Sequence, residues 1–319
     1  MVEETGEIIH TSVLLEETLT LIEPKAGGFY VDATLGLGGH AEALLERFPD
    51  SRLIGIDQDA QAIGFARKRL SRFGDRVKIF HANFSAIKSV LSRAGLGEVD
   101  GIIADLGVSS LQFDSGERGF SFRFDAPLDM RMDAESTDPT ASDLLATLSE
   151  TEIADLIYQY GEERFSRRIA RRIVEKRESG EPVTTTKQLA ELVERSVRRS
   201  PKDKIHPATR TFQALRIAVN HEIEMLEQLV TDAIDVLKNE GRLAVITFHS
   251  LEDRAVKHTF QRLSGKCSCP PRIPQCVCGA TKRGEILTRK PILPTDDEMR
   301  ENPRSRSAKL RGFRKGNNL

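Results

Sequence analysis

The chain lacks any apolar run approaching the roughly 20 residues that a membrane-spanning helix needs, so no membrane segment is expected. Its first ten residues, MVEETGEIIH, are acidic and lack the apolar stretch of a secretory signal peptide. With 39% hydrophobic and 30% charged residues among 319, the composition is typical of a globular protein. Together these absences predict a cytoplasmic protein that does not contact a membrane.

Cysteine is absent outside one short stretch, CSCPPRIPQCVC, which contains Cys267, Cys269, Cys276 and Cys278. Disulfides are not expected in a reducing cytoplasm, which leaves zinc binding or a loop of thiols as the alternatives. The spacing is C-x-C twice, not the C-x2-C of common zinc sites, and two prolines follow Cys269. We therefore expect no stoichiometric metal.

The net charge of −1 conceals an uneven distribution of charge. Residues 1–150 contain 14 Lys and Arg against 25 Asp and Glu, whereas residues 151–319 contain 33 against 23. A basic second half suits a polyanionic partner, because phosphates attract clustered cations over distance. Solvated helix faces would produce the same imbalance, so charge alone leaves both interpretations open.

Strand and helix patterns alternate through the first third of the chain, which predicts a parallel sheet. Strands are predicted at 28–34, 52–57, 77–82 and 99–107, and helices at 40–48, 60–73 and 84–94. Further helices are predicted at 149–160, 162–177, 185–199, 211–238 and 251–263, with strands at 241–250, 285–292 and 307–314. The simplest architecture is one doubly wound α/β domain interrupted by a helical insertion, with segments 1–112, 113–212 and 213–319.

The stretch VDATLGLGGHAE, residues 31–42, reads as a strand, a glycine-rich turn and the start of a helix. It fits the dinucleotide fingerprint through Gly36, Gly38 and Ala41, and it also fits the looser turn of sulfonium-dependent methyltransferases, with Asp32 ahead of the glycines. Both classes place an acid after the second strand to bind ribose hydroxyls, and Asp57 supplies it. Gly38 and Gly39 are expected to allow close backbone approach and positive φ.

The fourth strand favours the methyltransferase. It ends in DLGVSS, which puts Asp105 at the carboxyl edge of the sheet, where open α/β sheets bind ligands. Methyltransferases that act on amines place a D/N-P-P-aromatic motif there, although this chain lacks its prolines and aromatic. A dehydrogenase would need a nicotinamide pocket and a hydride-transfer acid or base, and the sequence identifies neither.

Four stretches resemble one known family: DATLGLGGH, DLGVSSLQ, HPATRTFQALRIAVNHE and ITFHSLEDRAVK. They are similar to the bacterial small-subunit ribosomal RNA cytosine-N(4) methyltransferases, and the resemblance runs from residues 10–17 to 305–314. It implies a Rossmann-like domain that uses S-adenosylmethionine, with an inserted all-helical substrate domain. It also implies methylation of a cytidine amine in the decoding (P-site) region of 16S rRNA. The cofactor contacts that it implies fall on Gly38, Gly39, His40, Asp57, Phe84, Asp105 and Gln112.

Methyl transfer from a sulfonium is an in-line displacement, so positioning supplies most of the catalysis. The cytosine amine is a poor nucleophile, and hydrogen-bond acceptors near it would localise its lone pair. Asp105 and Ser109 are the best candidates for this role.

RNA contacts are expected on the insertion and after the fifth strand. Arg167, Arg168, Arg171 and Arg172 repeat at helical spacing suited to phosphates, and His249 lies at the end of the strand predicted at 241–250. Phe120, Phe122 and Phe124 could stack on a base that has left the RNA helix, or could pack into the protein core. The sequence leaves a homodimer open.

Two alternative functions fit the sequence less well. An RNA-binding assembly factor without transfer activity is disfavoured by the intact turn, Asp57 and Asp105. A small-molecule methyltransferase is disfavoured by the size and basic charge of the insertion.

Overall fold

The computed structural model describes residues 12–107, 118–197, 205–267, 269, 275 and 277–317. It contains one seven-stranded sheet with the order β3-β2-β1-β4-β5-β7-β6. Strands β1 to β5 are parallel, and β7 runs antiparallel to both of its neighbours. The strands are β1 (Phe29–Asp32), β2 (Arg52–Asp57), β3 (Val77–His81), β4 (Val99–Asp105), β5 (Leu237–Thr247), β6 (Gly284–Ile286) and β7 (Lys309–Lys315). This arrangement confirms the predicted doubly wound α/β class.

Helices connect most of the strands, and within the described residues six helices lie between β4 and β5 in the sequence. They are α1 (Leu15–Ile22), α2 (Gly39–Arg47), α3 (Ala60–Leu70), α4 (Ile87–Ala94), α5 (Ala141–Thr147), α6 (Glu150–Gly161), α7 (Ser166–Glu178), α8 (Thr186–Ser196), α9 (Ala208–Val219), α10 (Glu222–Val236), α11 (Ser250–Leu263) and α12 (Asp296–Glu301). Among the described residues, no helix is both long and apolar enough to cross a membrane.

The chain divides into two compact units. The sheet unit comprises Met1–Gly107 and Ile223–Leu319, and the helical unit comprises Val108–Glu222. Helix α9 lies entirely within the helical unit, so the predicted boundary at residue 212 falls inside a helix.

The sheet unit buries apolar side chains in two clusters, and strand β4 contributes to both. Ile102 and Ala104 belong to one cluster and Ile103 to the other, because successive side chains of a strand point to opposite faces. All three are fully buried, which explains why this strand reads as a continuous apolar run.

The helical unit has its own apolar core, so it does not depend on the sheet for a buried interior. Three of its helices, α5, α6 and α8, begin with a capping box. The Thr185 hydroxyl accepts a hydrogen bond from the amide of Gln188 and so caps the N-terminus of α8.

The single helix predicted at 211–238 is wrong, because the chain forms two helices there. Helix α9 ends at Val219 and is capped by Asn220, whose side-chain amide donates to the carbonyls of Met130 and Arg216. His221 then adopts φ of 49°, a left-handed conformation that interrupts a helix. Helices α1, α5 and α12 are elements that the sequence analysis did not predict.

Candidate functional site

Three neighbouring strands end in an aspartate at the same edge of the sheet. Asp32 ends β1, Asp57 ends β2 and Asp105 ends β4, and these strands lie in the order β2-β1-β4. The strand order reverses between β1 and β4, and open α/β sheets bind ligands in the crevice at such a point. The structure therefore brings the two aspartates of the predicted site, Asp57 and Asp105, to the same edge as Asp32, the acid ahead of the glycine turn.

The glycine-rich turn leads from β1 into α2. Gly36 and Gly38 have φ of 51° and 81°, and the amide of Gly38 donates to the carbonyl of Leu35 at 2.8 Å. Gly39 is the first residue of α2, and the positive φ predicted for it is wrong. Its constraint is steric, because a Cβ on Gly39 would overlap the Ser12 hydroxyl. The segment before α1 thus packs directly on the turn.

Asp57 holds the turn in place. One carboxylate oxygen accepts from the amide of Gly36 at 2.7 Å and the other from the amide of Asp59 at 2.8 Å. Burial raises the pKa of Asp57, and these hydrogen bonds oppose that rise. Each oxygen retains a second lone pair, so a ribose hydroxyl contact is compatible with this geometry and stays a prediction.

Thr34 connects the ends of β1 and β4, a role that the sequence analysis missed. Its hydroxyl accepts from the amide of Asp105 at 2.6 Å, and its own amide donates to Asp32 at 3.3 Å. A threonine next to the glycine turn was the available signal, because its hydroxyl can accept from a backbone amide.

Asp32 is buried, with 1% of its surface exposed. Burial raises the pKa of Asp32 to about 7, and the nearby charge of Asp57 adds to the rise while the Thr34 amide opposes it. At neutral pH the protein therefore holds this carboxyl near its point of half-ionisation.

Replacing Asp32 by Asn is expected to stabilise the protein at alkaline pH. The folded-state pKa is raised, so the folded chain binds the proton more tightly, and the stability due to Asp32 is lost as pH rises from about 4 through about 7. The variant should exceed wild type by as much as about 4 kcal/mol at pH 8.5, with the gain vanishing below pH 4. Urea titrations across this range test it, with the exposed Asp50→Asn as control. A gain independent of pH would contradict the titration of Asp32.

Asp105 and His40 lie close together at the switch point, the place between β1 and β4 where the strand order reverses. His40 is buried, and its Nε2 lies 3.1 Å from the Val13 carbonyl, which can only accept, so Nε2 carries the hydrogen. Its Nδ1 lies 3.9 Å from Asp105 Oδ2. These two acceptors repel unless a proton resides on one of them. Burial, followed by the charges of Asp32 and Glu252, raises the pKa of Asp105 well above its usual range, which favours a proton on the carboxyl.

The other oxygen of Asp105 is the distinctive feature of the site. Oδ1 is buried and has no hydrogen-bond partner among the described residues. A buried carboxylate oxygen without a partner costs about 1–3 kcal/mol or more, so such groups in native proteins usually serve a ligand or a reaction. Asp105 therefore offers an acceptor at the edge of the crevice.

His249 begins α11 as its N-cap. Its Nδ1 accepts from the amide of Glu252 at 3.4 Å, and its Nε2 lies 3.0 Å from a carboxylate oxygen of the same residue. Its side chain is 10% exposed. Nδ1 gives His249 a structural role as the cap of α11, whereas Nε2 is buried and makes no hydrogen bond among the described residues. Contact of His249 with RNA stays a prediction.

Phe84 follows β3 in a short 3₁₀ turn that Asn83 caps. Its ring is half-buried and packs against the apolar core of the sheet unit, leaving part of its surface accessible to a ligand. Asn83 also donates to the Gln58 side chain at 2.7 Å, which ties this turn to the residue after Asp57. The remaining predicted residues, Ser109 and Gln112, lie outside the described part of the chain.

The four predicted arginines lie on one side of α7, and all are exposed. The opposite side buries Ile169, Ala170 and Ile173 in the helical core. Two of the arginines have acidic neighbours on the surface: Arg171 lies 3.7 Å from Glu150, and Arg172 lies 2.8 Å from Glu175. Exposed ion pairs are weak, so a phosphate can compete with both acids.

The three phenylalanines of the 114–133 loop have different environments. Phe120 is buried in the helical core, and Phe122 stacks on His206 with 4.4 Å between ring centroids. Phe124 is 50% exposed, so it alone of the three offers an accessible ring for base stacking.

A cavity of about 560 Å³ lies beside α11 and β6. Five cationic side chains line it, accompanied by the acid Glu285: Lys257, Lys266, Lys282, Arg289 and Arg311. The sequence located excess positive charge in the second half, and the structure concentrates part of it here.

Comparison with known proteins identifies the family. The family model of the MraW methylases matches residues 7–316. Ribosomal RNA small subunit methyltransferase H of Trichlorobacter lovleyi is 50% identical over 311 residues, covering 97% of this chain and 99% of the relative. The protein of the same name from Symbiobacterium thermophilum is 52% identical over 305 residues, covering 95% of each chain. The chain therefore belongs to the MraW methylase family and is a methyltransferase whose cofactor is S-adenosylmethionine.

Proposed function

We propose that this protein methylates the N(4) amine of a cytidine in the decoding region of 16S rRNA, in the cytoplasm. The observation that carries the proposal is the buried Oδ1 of Asp105, which has no partner among the described residues and lies at the switch point of the sheet. A substrate amine needs an acceptor of this kind. The names of the relatives, which specify small-subunit ribosomal RNA, support the class of substrate.

The residues present suit S-adenosylmethionine, which supplies an electrophilic methyl group when bound. The positive φ of Gly36 and Gly38 shapes a turn whose backbone a ligand can approach closely. Asp57 would accept hydrogen bonds from ribose hydroxyls, and Phe84 would contact the adenine. Asp32 and Asp105 lie at the same edge of the sheet, and burial disfavours the ionised form of both carboxyls. A cationic ligand bound beside them would stabilise the ionised carboxylates, so this edge suits a sulfonium.

Asp105 would act on the cytidine amine. Its Oδ1 accepts a hydrogen bond from the amine, which favours a localised lone pair on nitrogen. The raised pKa of Asp105 makes its ionised form a stronger base than an ordinary carboxylate. After transfer, Oδ1 would receive the proton that the amine must lose. The other oxygen of this carboxyl, Oδ2, lies 3.9 Å from His40 Nδ1.

The helical unit would bind the RNA. The four exposed arginines of α7 present positive charge on a helix that is anchored by its opposite face, so they can contact phosphates without disturbing the core. Phe124 is available to stack on a base.

Mass mapping of 16S rRNA tests the function. Cells that lack the gene should lose one methyl group from a decoding-region cytidine, and the intact gene should restore it. The purified protein should transfer labelled methyl from S-adenosylmethionine to small subunits isolated from the deletion strain. Unchanged rRNA mass would refute the proposal, and binding to subunits without transfer would indicate the assembly factor instead.

A further inference from the structure

The cysteine loop has a geometry that its spacing in the sequence did not suggest. The Sγ atoms of Cys267, Cys269 and Cys278 lie within 4.8 Å of one another. The fourth cysteine, Cys276, lies outside the described residues. We propose that these three cysteines bind one zinc ion through their thiolates.

The distance between two of the sulfurs matches tetrahedral zinc. Thiolates bound at about 2.3 Å in tetrahedral geometry are separated by roughly 3.8 Å. Sγ of Cys267 and Sγ of Cys278 are 3.6 Å apart. A disulfide requires about 2.05 Å, so the two sulfurs are not covalently bonded, and their separation suits two ligands of one metal ion.

Backbone amides point at the sulfurs, as they do around metal-bound thiolates. The amide of Cys269 donates to Cys267 Sγ, and the amide of Val277 donates to Cys269 Sγ, both at 3.4 Å. Such bonds orient the ligands and favour the deprotonated sulfur that a metal requires.

Backbone hydrogen bonds join the two ends of the cysteine loop, residues 265–281, and bring together the segments that contain Cys267 and Cys278. Together these bonds form a clamp. Ser264 and Lys282 form an antiparallel bridge, and the amide of Arg283 donates to the Leu263 carbonyl at 2.7 Å. Beyond this clamp, none of the described residues between 265 and 283 is buried, and Val277 is 81% exposed. An apolar core therefore does not hold these residues, whereas a structural metal would.

Metal analysis of the full chain tests this proposal. Protein purified under reducing conditions and exchanged into metal-free buffer should contain about one zinc per chain. Each of Cys267→Ser, Cys269→Ser and Cys278→Ser should reduce the zinc content at least about fivefold, because loss of one thiolate weakens the site. The control is His258→Ala, which removes an exposed ligand-type side chain from α11 and should retain the metal.

A second measurement separates metal loss from misfolding. The sheet has its own apolar core, so the cysteine variants should keep the far-ultraviolet circular dichroism of wild type. Cobalt(II) in place of zinc should show charge-transfer bands from thiolate that the triple serine variant lacks. The proposal is overturned by zinc that remains in the triple variant, by absence of zinc after anaerobic reconstitution, or by a Cys267–Cys278 disulfide in protein kept reduced.

Discussion

Replacing Asp105 by Asn is expected to lower the rate of methyl transfer by about 10²–10³-fold at saturating cofactor, equivalent to about 3–4 kcal/mol of transition-state stabilisation. The amide keeps the size of the side chain but loses the negative charge that stabilises the positive nitrogen formed during transfer. The amide also cannot act as the base that receives the proton from the substrate amine. The dissociation constant of S-adenosylmethionine should change by less than about tenfold, since Gly36, Gly38 and Asp57 remain in place.

Asp100 offers a matched control for this substitution. It lies at the other end of the same strand, where its carboxylate accepts from the amide of Phe29 and from Lys238, both at 2.8 Å. Asp100→Asn should therefore leave the catalytic rate near wild type. A rate for Asp105→Asn within about threefold of wild type would show that the carboxylate is not needed for the chemistry. Full recovery at high cofactor concentration would restrict Asp105 to cofactor binding.

Neutralising all four arginines of α7 to Gln is expected to weaken rRNA binding by roughly 10²–10³-fold at 0.15 M salt. Each arginine that contacts a phosphate releases condensed counterions, so the slope of log affinity against log salt should become shallower by about 3. Binding isotherms at several salt concentrations measure both quantities. S-adenosylmethionine affinity should stay at the wild-type value, because α7 belongs to the helical unit with its separate core.

Two double variants refine this experiment. Arg167→Gln with Arg168→Gln removes two exposed charges from α7, and Arg67→Gln with Lys68→Gln removes two exposed charges from α3 in the sheet unit. The α7 pair should reduce the salt slope by about 1.5, and the α3 pair should leave it unchanged. Equal effects of the two pairs would mean that only total charge matters and that the α7 surface has no specific role.

Much of the sheet unit could be predicted because its signals are local. Continuous apolar runs identified β1 to β4, and the glycines and acids after those runs marked the edge where ligands bind. The predicted ends of helices differ from the observed ends where a short polar turn follows. The helix predicted at 60–73 ends at Leu70, because a 3₁₀ turn covers Ser71–Arg76. The break between α9 and α10 escaped prediction because helical periodicity continues across it. It depends on Asn220, whose partner Met130 is 90 residues away.

By itself the sequence determined the fold class, the family resemblance and the two aspartates Asp57 and Asp105 at strand ends, since each follows from the order of residues along a short segment. Only the tertiary structure decided the surroundings of those acids. The amide of Asp105 donates a hydrogen bond to Thr34, which is 71 residues away in the sequence. Burial at the switch point raises the pKa of Asp105. The bridge between Ser264 and Lys282 brings together the two chain segments that contain Cys267 and Cys278. Hydrogen bonding, desolvation and ligand geometry depend on distances between atoms from separate segments, and strand register and packing determine those distances.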